Sequence, residues 1–490
     1  MTFPILSLVI FTPLVAGIIL LFLPQGKRNW ILGIATGAAV IDLLLSVLAY
    51  LSYNLNAGGY QLLEKYDWVP QLGISYYVGI DGISLPLLLL GAIVTFCGVL
   101  VSWRVEDRPR EFFAFMMFLA ASVQGVFASL DLFMLFFFFE LAIFPKYLMI
   151  ILWGSPKTRE YGGMKLTLYL FIGSMFALMG ALAIYTGSGL KTFDMLKLEN
   201  AGFAIDFQRV WFVAVFLGFG VLSGIFPFHS WAPDGHVAAP TAISMLLAGV
   251  EMKVGAFAAL RVGIMLLPEG AKYWAPWILV LATINVVYGA LIALIQTDFK
   301  YVIGFSSVSH MGLVLIGFAT LTRDGLNGAG LQMFSHGIMT ALFFAVVGMV
   351  YDRTHTRDIN RLGGLFKKMP WAGLGFIVAG LVSMGMPGFS GFIAEFPIMM
   401  GAWQAAPLVA IIAILGVLVT AAYILLVLRR VFFGELDAEY ATQVGDVSPQ
   451  DKIVIGLLVV IMIALGCFPV LMSPLIQSGV SHILVLLGGK

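Results

Sequence analysis

The stretch LFMLFFFFELAIFPKYLMIILW, residues 132–153, decides the class of fold. Apart from Glu140 and Lys146 it is a continuous run of apolar and aromatic side chains. As a helix rising 1.5 Å per residue it spans about 33 Å, enough to cross a hydrocarbon core of about 30 Å. A charge near the bilayer centre costs roughly 2.5–3.5 kcal/mol on insertion scales, so Glu140 and Lys146 each need a reason to be there. The run Phe136–Phe139 reads as lipid or helix packing.

Working outward, runs of similar length recur near 3–23, 30–50, 81–103, 112–130, 163–186, 210–229, 241–266, 274–296, 301–320, 330–350, 371–400, 405–430 and 452–474. With 132–153 they predict an all-α membrane protein of about 14 transmembrane helices. The segment 475–489 is apolar but too short to cross. Composition agrees: of 490 residues 61% are hydrophobic and 11% charged, far outside the range of soluble domains. No polar connection is long enough to carry its own core, so residues 1–490 read as one polytopic membrane domain. The first segment lacks a basic leader and an Ala-x-Ala site, and is expected to be retained as an anchor.

Several functions are excluded. Lys plus Arg is 27 against 26 for Asp plus Glu, leaving no basic excess for a nucleic-acid backbone. Cys97 and Cys467 carry no CxxC or Cys/His spacing, so zinc, iron–sulfur and disulfide scaffolds fall away. No GxGxxG or P-loop is present. Counted over alternate loops, seventeen Lys and Arg, with Lys300 and Arg357 among them, face seven, with Lys65 and Lys490 among them. By the positive-inside tendency the first set is cytoplasmic and both termini lie on the outer side.

Asp131 opens one segment and Pro227 interrupts another, an arrangement echoed by Asp298 and Pro387. The echo suggests two inverted five-helix repeats, 112–266 and 274–430, with broken helices 7 and 12, as secondary transporters use. The breakers are Ser223, Gly224 and Pro227 in the seventh crossing, and Gly385, Pro387, Gly388 and Gly391 in the twelfth. Freed backbone groups inside a membrane commonly mark ion sites.

The ionisable residues inside crossings form a short set: Glu140 and Lys146 in the fifth, Glu251 and Lys253 in the eighth, His310 in the tenth, His336 in the eleventh and Glu395 in the twelfth. His229 and His236 flank the end of the seventh. Groups that change charge when burial shifts their proton affinity are the material of a proton relay. His310 and His336 are single on their helices, with no redox motif, so haem is not expected. Composition and spacing reach a polytopic transporter of protons or a small cation, and stop there.

The stretches GIDGISLPLLLL (79–90), FFFFELAIFPKYLMIILWG (136–154), FPFHSWAPDGHVAAPT (226–241), LLAGVEMKVG (246–255), QTDFKYVIGFSSVSHMG (296–312), YDRTHTRDINRLGGL (351–365) and GMPGFSGFIAEF (385–396) carry a resemblance. Together they resemble the antiporter-like membrane subunits of respiratory complex I, NADH:quinone oxidoreductase, and HTRD at His355–Asp358 favours the chain 4 or M branch over the L and N branches. The resemblance implies a proton-translocating subunit in a bacterial inner membrane beside L-like and N-like neighbours. No cofactor would sit in this chain; NADH, flavin, iron–sulfur clusters and quinone would be handled by partner subunits. It also implies a relay through Glu140, Lys253, His310, His336 and Glu395 along the membrane midplane. The alternatives are a subunit of a multisubunit sodium/proton antiporter, or a structural spacer.

Two departures from the family pattern matter. The lysine usual on helix 7, partner of the helix 5 glutamate, is Leu222 here; and Lys146 stands after Pro145 where the family has an apolar residue, with Glu251 as an added acid. Lys146 is therefore expected to replace the missing lysine as partner of Glu140 or Glu251. Residues six apart on a helix lie about 120° off one face and about 9 Å along the axis, so a direct Glu140–Lys146 contact requires Pro145 to redirect the chain. The expected mechanism is electrostatic, with closure of the Glu140/Lys146 pair setting whether Lys253 holds its proton. Unit charges ~4 Å apart interact by about 4 kcal/mol at an effective dielectric of ~20, more than the ~2.3 kcal/mol for one charge across 100 mV.

Overall fold

The computed structural model describes residues 3–436, 440 and 444–488; Lys490 lies outside them. Thirteen helices among these residues are long and apolar enough to cross a membrane. They run from Ile5–Phe22 through Leu132–Trp153, Ile205–Ser223, Thr241–Ile264, Phe299–Ala319 and Arg323–Thr354 to Pro449–Cys467. The twelfth crossing is missing from that set because it is made in two pieces, Pro370–Ser383 and Ser390–Ala405. Counting it gives the expected fourteen, and the chain is an integral membrane protein. The helix Ser473–Leu486 follows with 14 residues, about 21 Å, short of a crossing.

Both expected breaks are built alike. The seventh crossing ends at Ser223, where Gly224 takes a left-handed φ of 79°. Ile225 N–H donates to Gly220 O and Gly224 N–H to Val221 O, the pair of bonds of a Schellman ending. The chain then starts a second half-helix, Trp231–Ala238. In the twelfth crossing Gly385 has φ 63°, with Met386 N–H donating to Leu381 O and Gly385 N–H to Val382 O. Glycine is favoured at each, since a side chain in that backbone region is strained. The two capping aspartates also behave alike. Asp131 accepts from Phe133 and Met134 N–H and Asp298 from Lys300 and Tyr301 N–H, and each forms an isolated antiparallel bridge, to Asp194 and Asp358.

One element departs from an all-helical reading. Residues 51–80, expected only as a polar connection, fold into an antiparallel hairpin of Gln61–Val69 and Ile74–Ile80. Its Glu64 carboxylate reaches the start of the first helix, accepting from Leu6 N–H at 2.9 Å and Ser7 N–H at 3.2 Å. The first turn of a helix has no backbone acceptors of its own, so this carboxylate does the work of a cap from across the fold. Gly73 turns the hairpin at φ 69° and lies so close to Lys191 that a Cβ would meet its carbonyl at 2.2 Å.

The core centres on the eleventh crossing. Arg323–Thr354 has 32 residues and is buried along its membrane-spanning length, packed by the tenth and both pieces of the twelfth. The eighth crossing is equally buried, and two π-helical turns, Leu247–Glu251 and Ala259–Ile264, flank its α-helical middle Met252–Ala258. Such turns shift the side chains that follow them and often lie at functional sites. The first bears Glu251, and Lys253 lies two residues beyond it.

Candidate functional site

The fifth crossing is interrupted at Ala142, between Leu132–Leu141 and Ile143–Trp153. Pro145 has no N–H to return to Leu141 O, and the interruption lies on that turn. Beyond it Lys146 points into the protein, and its ammonium stands 2.5 Å from Glu251 Oε2 with both side chains buried. Of the two partners expected for Lys146, the structure gives Glu251 on the eighth crossing and not Glu140 on its own helix, so the gate drawn as a Glu140/Lys146 pair is replaced by Lys146–Glu251. Glu140 is half-buried, and its Oε1 has no hydrogen-bond partner. Leu222 is buried, and its Cβ lies where a Cβ on Gly255 of the eighth crossing would meet it at 2.8 Å. The helix 7 position therefore packs directly on helix 8, and the positive charge beside helix 8 comes from helix 5.

A second group is connected end to end. Lys253 Nζ is 2.7 Å from His336 Nδ1 and donates to Ala248 O at 2.5 Å. When Lys253 holds its proton the ammonium only donates, so His336 Nδ1 accepts and the ring proton sits on Nε2, which has no hydrogen-bond partner among the described residues. The His336 ring stacks on His310, centroids 5.3 Å apart and planes 16° from parallel. His310 Nδ1 faces Ser306 O at 2.8 Å, Nε2 faces Ser383 O at 3.1 Å, and Nε2 lies 3.6 Å from Glu395 Oε1. A neutral imidazole protonated on Nδ1 donates to Ser306 O and can accept at Nε2 from Ser383 Oγ at 3.3 Å, whereas the imidazolium donates to both carbonyls and places its charge 3.6 Å from the carboxylate. Glu395 also accepts from Gln332 Nε2 at 3.2 Å.

The break in the twelfth crossing creates this arrangement. Ser383 ends its first half-helix, so its carbonyl has no intrahelical partner and is free for His310. Gly385 also makes room: a Cβ there would stand 2.7 Å from Glu395 Oε2. The break in the seventh crossing is used differently. Asn285 Nδ2 donates to Gly224 O, Phe226 N–H donates to Asn285 Oδ1, and Trp231 Nε1–H donates to Val221 O. Neutral groups therefore satisfy the first break and a titratable group the second.

Between Lys146–Glu251 and Lys253–Glu395 no direct side-chain hydrogen bond is formed among the described residues. Glu251 Oε1 remains without a partner, and so do both nitrogens of buried His236. Groups of that kind are where bridging waters bind. Lys300, counted above as a loop cation, is instead buried in the first turn of the tenth crossing, because the Asp298 cap starts the helix at Phe299. Its Nζ donates to Ala239 O at 2.7 Å and Ser244 Oγ at 3.0 Å. A cavity of about 490 Å³ reaches it, lined by Arg104, Asp352, His355 and Arg357. Sequence reasoning missed Lys300 because its position directly after a cap looks like loop. His229 stacks on Phe226 at the rim of the seventh break and touches none of the relay groups. Among the described residues no three His, Cys, Asp or Glu side chains are grouped as a metal site requires.

Comparison with known proteins gives concordant matches. A family profile described as NADH:quinone oxidoreductase/Mrp antiporter, TM, covers residues 129–421. The NAD(P)H-quinone oxidoreductase chain 4 of Gloeobacter violaceus is 38% identical over 483 residues, covering 96% of this chain and 91% of that protein. The chain 4 protein of Acaryochloris marina is 38% identical over 490 residues, covering 97% and 91%. A chain of respiratory complex I from Thermus thermophilus with bound NADH superposes with a TM-score of 0.91 at 29% identity, covering 99% of this chain and 100% of that one. A chain of the Mrp complex from Dietzia sp. shares the fold, with a TM-score of 0.87 at 19% identity over 99% and 98%.

Proposed function

The chain belongs to the NADH:quinone oxidoreductase/Mrp antiporter membrane family, and from that premise we propose that it is the chain 4 proton-translocating subunit of a complex I. The observation that carries the reading is the buried series Lys146–Glu251 and Lys253–His336–His310–Glu395, set along a fold that matches complex I throughout its length. The chain works with other membrane subunits of such a complex, and L-like and N-like neighbours are the partners the reading calls for. NADH, flavin, iron–sulfur clusters and quinone belong to partner subunits, and this chain contributes proton movement.

In this reading Lys253 is the central proton carrier. It passes a proton through His336 and the stacked His310 to Glu395, with waters filling gaps longer than a hydrogen bond. The Lys146–Glu251 pair takes the gating role. Closed, it neutralises the Glu251 charge two residues from Lys253; opened, it leaves that carboxylate free to favour a proton on Lys253. Glu140, half-buried with a free oxygen, is the acid to which Lys146 can turn. The cavity ending at Lys300 offers access from the face that bears Arg353, Arg357 and Arg361. Residues 112–266 and 274–430 fit inverted five-helix repeats, a reading supported by the paired Schellman breaks and the paired aspartate caps.

The whole complex, reconstituted in vesicles, tests the function. NADH oxidation is expected to acidify one compartment, and to do so equally in sodium and in choline buffers. Proton movement driven by a sodium gradient without NADH would assign the chain to a sodium/proton antiporter instead. The site is read as lying in a bacterial inner membrane with both termini outside, and labelling tests that too. With an impermeant maleimide, Asn360→Cys is expected to react from the cytoplasm and Ala57→Cys from the outside. The reverse pattern would overturn the orientation.

A further inference from the structure

The second crossing holds a buried acid that the relay does not use. Asp42 sits midway along Arg28–Ser52 and is fully buried. Its Oδ2 accepts from Gln124 Nε2 at 3.2 Å. Its other oxygen, Oδ1, is buried without a partner, and so are Gln124 Oε1 and Ser46 Oγ. Ser46 is one helical turn from Asp42, on the same face. Gly91 of the third crossing leaves the space into which the Gln124 amide fits, since a Cβ there would stand 3.4 Å from both amide heteroatoms.

Among the described residues no cation balances this carboxyl. The helices packed on the second crossing are the first, third and fourth. The first, Ile5–Phe22, has no ionisable side chain; the helix Ser84–Val101 has only the thiol Cys97. The fourth has Arg110 and Glu111, which pair with each other in its first turn, about 20 Å along the axis from Gln124. An ionised carboxylate with no counter-charge in such surroundings costs several kcal/mol, and native structures avoid it by neutralisation. The unpartnered atoms say how. A proton on Asp42 Oδ1 becomes a donor facing an amide whose Oε1 lacks one, while Gln124 Nε2 already donates to Oδ2. One proton thus satisfies two orphaned acceptors and closes a cyclic acid–amide pair. A sodium ion would find only three unpartnered oxygens here, fewer than its usual shell.

We propose that Asp42, paired with Gln124, is a proton-binding site separate from the Lys146-to-Glu395 series, occupied by a proton at neutral pH. Infrared difference spectroscopy on the whole purified complex tests it. The wild type is expected to show a protonated-carboxyl C=O band that shifts in D₂O and is lost in Asp42→Asn, whose amide mimics the neutral acid in shape. In Gln124→Leu, which removes the amide, the band should move to higher frequency while remaining. The second variant keeps the test open if the first fails to assemble. Identical spectra for wild type and Asp42→Asn would overturn the proposal. So would a wild-type band that disappears when sodium replaces choline, because that would make Asp42 a sodium ligand.

Discussion

Lys253→Ala is expected to abolish NADH-driven proton pumping through this chain while the complex still assembles. Among the described residues the ammonium hydrogen-bonds only neutral groups, His336 Nδ1 and Ala248 O, and forms no ion pair. Removing it therefore leaves no stranded counter-charge, only a polar cavity that water can fill. What disappears is the lysine that links the Lys146–Glu251 pair to the histidines. His336 Nδ1 then faces water, and the pair has nothing to act on electrostatically. Proton uptake per NADH oxidised, measured in vesicles against the wild type, checks this, with subunit content of the purified complex as the assembly control. A variant that assembles and pumps at the wild-type ratio would make this chain a spacer.

The bilayer explains how much of this was legible in the sequence. A crossing requires about 20 apolar residues, so thirteen of fourteen helices announced themselves, and the twelfth was legible from Gly385, Pro387 and Gly388 as a break. Most of the charges inside crossings were equally plain, because each is expensive there. What could not be read was which of them meet. The two breaks look alike in sequence, yet Asn285 of the ninth crossing, with Trp231 from the break's own second half-helix, quenches the first, while His310 of the tenth occupies the second. Asp42 was passed over as one acid in an apolar run, since the Gln124 that meets it is on another helix. The hairpin at Gln61–Ile80 was hidden because QLLEKYDWV does not alternate cleanly between apolar and polar. Its Glu64 serves a helix far away in the chain, which local pattern cannot foretell.

Lys146→Met is expected to lower both pumping and stability, and the difference from Lys253→Ala follows from its partner. Lys146 meets a carboxylate at 2.5 Å, with side-chain exposures of 1% and 0%. Taking away one member of a buried ion pair leaves the other charge uncompensated, at a cost of about 3–5 kcal/mol. Glu251 Oε1 already lacks a partner, so no hydrogen bond among the described residues takes up the charge. Adding Glu251→Gln removes that charge, and the double variant should regain most of the lost thermal stability. It should not regain pumping, because neither the gating carboxylate nor its lysine remains. This opposition of the two readouts separates a working pair from a packing one. A merely structural pair predicts that stability and pumping recover together in the double variant. Thermal unfolding of the detergent-purified complex and proton uptake in vesicles, measured on both variants, decide it. Normal pumping by Lys146→Met alone would show that the lysine on the fifth helix does not stand in for the one absent at Leu222.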